Sequence, residues 1–279
     1  MNGDKPPGED RPAASGEAPP PPFDPTVAHQ ARMYNYVLGG KDHYAADREA
    51  VEQALKIWPD MPFTARANRA FLGRAVRYLA ADAGVRQFLD IGTGIPSAGN
   101  THEVAQAVAP QSRVLYVDYD PIVLAHARAL LISHQAGATS YIEADLRDTA
   151  TILAQARQLL DFTRPVAVTL LAILNAIPDA DDPHAIVATI MDAMPPGSYL
   201  VISHPGSDLL NQETLGGIHD IAARTAHQQP GFRRREQIAR FFDGMDLVEP
   251  GLVRVEEWRP APAADVGTSS LWCAVGRKR

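Results

Sequence analysis

One cysteine, Cys273, occurs among 279 residues, so no internal disulfide can form and a disulfide-stapled secreted module is excluded. Apolar runs are short. None approaches the roughly 20 residues that span a bilayer, which argues against a membrane helix. The N-terminal residues lack the apolar stretch of a signal peptide, and a reducing, cytoplasmic location is the expectation. The nine histidines show no metal-ligand spacing, and the acids at 179, 181 and 182 read as helix capping, so no metal is expected. A net charge of -7 argues against a nucleic-acid partner. The basic runs Arg233-Arg234-Arg235 and Arg277-Lys278-Arg279 read as solvated surface charge. There is no internal repeat.

What is present suits one large globular unit: 46% of residues are hydrophobic and 21% charged. Residues 1–25 hold eight of the 23 prolines and almost no large apolar side chains, which predicts a disordered tail. Residues 26–84 read as a cap of three helices. The first opens at Thr26 and stops at Gly39-Gly40, the second covers 44–58, with Pro59 and Pro62 ending it, and the third runs from Thr64 towards Gly84. From 85 onwards strands and helices alternate, which predicts a parallel sheet wound by right-handed crossovers. Strands are expected at 87–91, 113–118, 140–144, 166–174 and 199–203, with late strands near 247–248, 253–258 and 270–276. Residues 204–243 read as helical again, and the proline-rich 259–268 as a loop.

The stretch Gln87-Phe88-Leu89-Asp90-Ile91-Gly92-Thr93-Gly94 is the centre of the pattern: an apolar strand ends in a carboxylate and breaks into a glycine turn. Ligands of open α/β sheets sit outside the carboxyl ends of the strands at such a crossing. Asp118, ending the second strand, suits both ribose hydroxyls of an adenosine and would repel a 2′-phosphate. A dinucleotide fingerprint needs a third glycine or an alanine where this chain has Ser97, preceded here by Pro96. Asp90 also puts negative charge beside the site, which suits a cationic ligand such as S-adenosylmethionine better than a pyrophosphate.

On Phe88 to Gly94, Val117-Asp118 and Ala144-Asp145-Leu146 the chain resembles the class I S-adenosylmethionine-dependent methyltransferases. It resembles more closely a bacterial family of S-adenosyl methyltransferases of unknown substrate, on Tyr34 to Asp42, Gly92 to Pro96, Asn100 to Glu103 and Val117 to Pro121. The resemblance implies a Rossmann-like, doubly wound, mostly parallel seven-stranded sheet whose last strand is antiparallel, carried with an N-terminal helical extension. It also implies that Gly92 and Gly94 lie beside the methionine part of the cofactor, Asp118 on the ribose, Tyr119 against adenine, and Asp145 with Leu146 near the adenine amine.

Tyr34, Tyr36, Lys41, Asp42 and His43 form a dense polar and aromatic patch, expected to fold over the cofactor as a lid on the substrate side. The fourth strand's exit carries Asn175 where several related enzymes that methylate oxygen carry a histidine. An asparagine orients a nucleophile but takes up no proton, which leaves His43 and His204 as candidate bases. The Asn/Asp-Pro-Pro-aromatic run of nucleic-acid amino methyltransferases is missing, and so is the Asp-Asn pair of metal-dependent catechol enzymes. The expected function is metal-independent methyl transfer from S-adenosylmethionine to a nitrogen or oxygen of a small molecule. Two rivals stand beside it: a non-catalytic S-adenosylmethionine-binding sensor or scaffold, and an NAD-dependent oxidoreductase, disfavoured by Asp90, Pro96 and Ser97.

Overall fold

The computed structural model describes residues 24–130, 133–225, 231–261 and 267–279. The expected disordered tail lies, but for its last two residues, outside the described residues, as does the middle of the proline-rich loop. Three helices come first: α1 (Gln30–Val37), α2 (Ala45–Ile57) and α3 (Met61–Ala81). Helix α1 starts three residues later than expected because His29, not Thr26, is its N-cap. Pro62, expected to end the second helix, instead sits in the first turn of α3, where a missing N–H removes no helical hydrogen bond.

The alternating part follows as β1 (Gln87–Ile91), α4 (Thr101–Val108), β2 (Arg113–Asp118), α5 (Pro121–Leu130), β3 (Ala138–Glu143), α6 (Thr149–Ala156), β4 (Ala167–Leu171), α7 (Pro183–Asp192) and β5 (Tyr199–Pro205). Then come α8 (Gln212–Thr225), α9 (Arg235–Ala239), β6 (Met245–Leu247), β7 (Val253–Arg254) and β8 (Leu271–Lys278). Strand order is β3-β2-β1-β4-β5-β8-β6, with β1 to β5 parallel and β8 antiparallel to β5. Among the described residues the sheet thus has eight strands where the resemblance implied seven. Because β8 pairs with β5 along its length, β6 and the two-residue β7 share its other edge, and the seventh position is filled twice.

Period-two alternation sends β1 side chains to two cores. Leu89 and Ile91 pack with Val168, Leu170, Ile186 and Ile190 beneath α6 and α7, whereas Phe88 packs with Phe71, Leu72 and Val114 beneath α3 and α4. Helices therefore cover both faces, and the carboxyl ends of β1, β2 and β4 meet at one rim, where the order reverses between β1 and β4. That reversal opens the crevice in which doubly wound folds bind ligands. Among the described residues no helix is long and apolar enough to cross a membrane.

Candidate functional site

The turn after β1 is built on two glycines in the left-handed region, Gly92 at φ 75° and Gly94 at φ 64°. Gly92 is under a second constraint. A Cβ there would lie 2.4 Å from Ile173 Cγ1, whereas one on Gly94 would meet open space. The Gly94 N–H donates to Asp118 Oδ2 at 2.9 Å, and the Asp120 N–H donates to Asp118 Oδ1 at 3.0 Å. Asp118 is buried, and burial pushes its carboxyl pKa up against these two donors. Each of its oxygens keeps lone-pair capacity for a further donor.

A cavity at the rim brings together Gly92, Asp118, Tyr119, Asp145, Leu146 and Ile173. Five of these six are among the residues singled out from sequence. Tyr119 is 53% exposed and stands at the mouth. Asp145 accepts from the Arg147 N–H and from Arg147 Nη1, both at 2.8 Å, while Arg147 Nε reaches Asp181 at 2.7 Å. Arg147 thus straps β3's exit to the loop after β4, a role that gave no signal in the sequence.

Asp90 does not line this cavity. It points to the α3 and α4 face, where the hydroxyls of Thr101 and Thr169 donate to it at 2.6 and 2.7 Å, and burial raises its pKa. These two bonds make it an internal staple joining β1, β4 and α4.

Apart from Asp42, the side chains expected to form a lid on the 34–43 segment make their contacts within the cap. Tyr34 is packed inward, its hydroxyl donating to the Ala65 carbonyl at 3.1 Å and accepting from Asn68 at 3.2 Å. Tyr36 bonds Glu52 and packs edge-on against His43, whose ring nitrogens face the Gly40 carbonyl at 3.1 Å and Arg48 Nη1 at 3.3 Å. Lys41 is exposed, and Asp42 reaches His126 of α5 at 3.8 Å. His29 and Gln30, which sequence reasoning missed, join the start of α1 to the rim. His29 Nδ1 lies 2.8 Å from Asp120 Oδ2, its Nε2 lies 3.3 Å from the Tyr119 hydroxyl, and Gln30 reaches the Ala172 carbonyl. A histidine is a rare N-cap, so the start of α1 carried no recognisable mark.

Strand β4 ends at Leu171, three residues early, because Ala172 takes φ 52° and turns Ile173 over Gly92. The chain then makes a 3₁₀ turn, Leu174–Ala176. Arg233 fixes this turn and corrects its reading as surface charge. It is 2% exposed and donates to the carbonyls of Leu174 and Ile177, to Asp179 Oδ1 and to His204 Nε2. The acids after the turn divide their work: Asp182 caps α7, Asp179 pairs with Arg233 and Asp181 with Arg147. His204 is fully buried, its Nδ1 facing the Pro205 carbonyl at 3.0 Å, and burial lowers its pKa to about 3. With the Nε2 lone pair taken by Arg233, this ring has no site for a substrate proton. Asn175 stands in the turn at 8% exposure, and its amide oxygen is sealed from solvent without a hydrogen-bond partner.

Comparison with known proteins agrees with this geometry. The family model for S-adenosyl methyltransferases matches residues 16–279. A DUF574 family protein from Streptomyces avermitilis MA-4680 is 46% identical, with a TM-score of 0.87 over 91% of this chain and 98% of that one. A protein from Thermobifida fusca YX, provisionally assigned as a methyltransferase, is 38% identical, with a TM-score of 0.84 over 94% and 98%. The plantazolicin methyltransferase BpumL, solved with S-adenosylhomocysteine and a triazolic desmethylPZN analogue, shares the fold at 11% identity and a TM-score of 0.52 over 89% and 96%. No curated protein matches the sequence. The chain belongs to the S-adenosyl methyltransferase family, and S-adenosylmethionine is its cofactor.

Proposed function

We propose that this protein transfers the methyl group of S-adenosylmethionine to a nitrogen or oxygen of a small molecule, without a metal. The observation that carries the reading is Asp118, buried at the end of β2 beside the glycine turn and held by two backbone N–H groups with lone pairs to spare. The cavity fits the cofactor in chemistry. Val117, Leu146, Ile173 and Ile177 give it apolar walls for a purine, and Asp118 supplies the acceptor that ribose hydroxyls need. In this reading Tyr119 lies against the adenine, Asp145 and Leu146 flank its edge, and Gly92 and Gly94 let the methionine part approach the backbone. Asp90 acts from behind, keeping the turn in register through Thr101 and Thr169.

When bound, the cofactor supplies an already activated methyl. The chain's own task is to hold the acceptor in line and exclude water. Arg233 serves this by fixing the turn after β4, and His29 with Gln30 by joining the start of α1 to the rim. Neither His204 nor His43 stands ready as a base: the first is locked neutral, and the ring nitrogens of the second are engaged within the cap.

Titration calorimetry with S-adenosylmethionine, S-adenosylhomocysteine and NAD tests the reading. The first two are expected to bind and the third not. Asp118→Ala should weaken binding by about 1.5 to 3 kcal/mol for each charge-assisted bond lost. Unchanged affinity in a folded variant would remove the ribose assignment.

A further inference from the structure

The amide oxygen of Asn175 is an acceptor that the folded protein leaves unused. The residue is 8% exposed, and its Oδ1 has neither a protein partner nor contact with solvent. Leaving a buried polar atom unmet costs its full desolvation, and groups of this kind in native structures call for a partner. The turn that carries it is held from several sides. Asn175's own carbonyl accepts from the Gly231 N–H at 2.7 Å, and Arg233 binds the carbonyls on either side, at Leu174 and Ile177. Ile173 before it covers Gly92, and Ala176 after it lines the cofactor cavity. The fold thus holds an unmet acceptor rigidly within the stretch whose Ile173, Ala176 and Ile177 wall the cavity.

Resting on the reading given under Proposed function, we infer that Asn175 Oδ1 receives an N–H of the methyl acceptor, and that the acceptor is a primary or secondary amine. A carboxylate has no hydrogen to donate to this oxygen at neutral pH. A hydroxyl has one, but on methylation it must lose it to a base, and an amide oxygen takes up no proton. The carboxylates of the rim have other work: Asp90 is held by two threonines, Asp118 serves the ribose in this reading, Asp145 pairs with Arg147 and Asp179 with Arg233.

An uncharged amine needs no such base. Its nitrogen lone pair attacks the methyl carbon, the N–C bond forms as the S–C bond breaks, and the bonding pair stays on sulfur. Sulfonium and amine become thioether and methylated ammonium, the positive charge is conserved, and the ammonium afterwards gives a proton to water. By accepting one N–H, Asn175 turns the lone pair towards the carbon.

Sinefungin, which carries an amine where S-adenosylmethionine carries its transferable methyl, tests this without a known substrate. Its affinity is compared with that of S-adenosylhomocysteine, which has nothing at that position. The wild-type protein should prefer sinefungin by about tenfold, the worth of one charge-assisted hydrogen bond. Asn175→Leu should abolish the preference with S-adenosylhomocysteine affinity nearly unchanged, and Asn175→Asp, which keeps an acceptor of the same size, should preserve or raise it. Equal preferences in all three proteins would overturn the placement of Asn175. Failure of the wild-type protein to bind S-adenosylhomocysteine would instead overturn the cofactor reading beneath it.

The acceptor class has its own measurement, label uptake from methyl-labelled S-adenosylmethionine into a metabolite extract. Acetylating the amines of the extract beforehand should abolish uptake. Uptake that survives acetylation would overturn the amine assignment. So would a limb of the pH profile lost in His219→Ala, because His219 is exposed on α8 with its ring 6.4 Å from Phe232, near this turn.

Discussion

Arg233 Nη1 stands 2.8 Å from His204 Nε2, and both side chains are buried. A guanidinium only donates, so the imidazole nitrogen facing it is the unprotonated one, and the proton sits on Nδ1 towards Pro205. Burial and the neighbouring cation keep the ring neutral down to about pH 3, whereas in the unfolded chain it titrates at its ordinary value of 6.5. Between those values the unfolded state binds more protons, so stability contributed by the neutral ring is complete above pH 6.5 and is lost as pH falls. The slope should approach about 1.4 kcal/mol per pH unit. Urea unfolding at pH 7 and pH 5 should show this loss in the wild-type protein and a reduced one in His204→Gln. Parallel losses in both would mean that His204 does not titrate on unfolding.

Arg233→Lys should behave nearly as badly as Arg233→Met. The fork reaches two carbonyls, a carboxylate and an imidazole at once, and a single ammonium cannot replace that geometry. Two buried carbonyls lose their donor in either variant, with an expected loss of about 2 to 5 kcal/mol in chemical denaturation. A lysine variant within 1 kcal/mol of wild type, on the order of an ordinary surface substitution, would show that the turn after β4 holds itself.

The two glycines of the turn should respond differently to alanine. Both sit at positive φ, which costs an alanine about 1 to 2 kcal/mol. Only at Gly92 does a Cβ also run into Ile173. Gly92→Ala should therefore be the more destabilising, and Ile173→Ala should recover part of the excess when combined with it. Additivity of Gly92→Ala and Ile173→Ala in a double-mutant cycle would show that the contact is not shared.

The fold was legible where one local signal sufficed. Asp120-Pro121 opens α5, Asn100 with Glu103 caps α4, and the alternation of apolar runs yields the parallel sheet. Gly92 and Asp118 were legible because a strand end and a glycine turn mark a crevice in the chain itself, whereas Tyr119, Asp145 and Leu146, which line the same cavity, came from the family resemblance. What stayed hidden depends on partners distant in sequence. Nothing near Arg233 says that four groups from 174 to 204 converge on it, and a run of three arginines looks like surface. His204 read as a base because its type suggests one, and only burial beside Arg233 removes that role. His29 was missed for the same reason: its partners Asp47, Tyr119 and Asp120 lie on other elements.

His29→Ala should loosen the cover on the cofactor site. The side-chain Nδ1 meets Asp120 Oδ2 at 2.8 Å and Nε2 lies 3.3 Å from the Tyr119 hydroxyl, while the backbone N–H donates to Asp47. Alanine keeps only the last of these. Asp120, whose side chain is 3% exposed, is left as a buried carboxylate without its imidazole. His29 is one of the groups that hold the Asp120 pKa down, so the carboxyl should titrate at higher pH in the variant. Because the contacts removed all join α1 to the rim, the effect should be local: faster amide exchange in α1, unaltered exchange in α3, and S-adenosylhomocysteine leaving faster than from wild type. Gln30→Ala removes a single longer contact at 3.5 Å and should do less. If α1 exchanges as in wild type and dissociation of S-adenosylhomocysteine is unchanged, the 2.8 Å contact does not restrain the helix, and access to the cavity is controlled elsewhere.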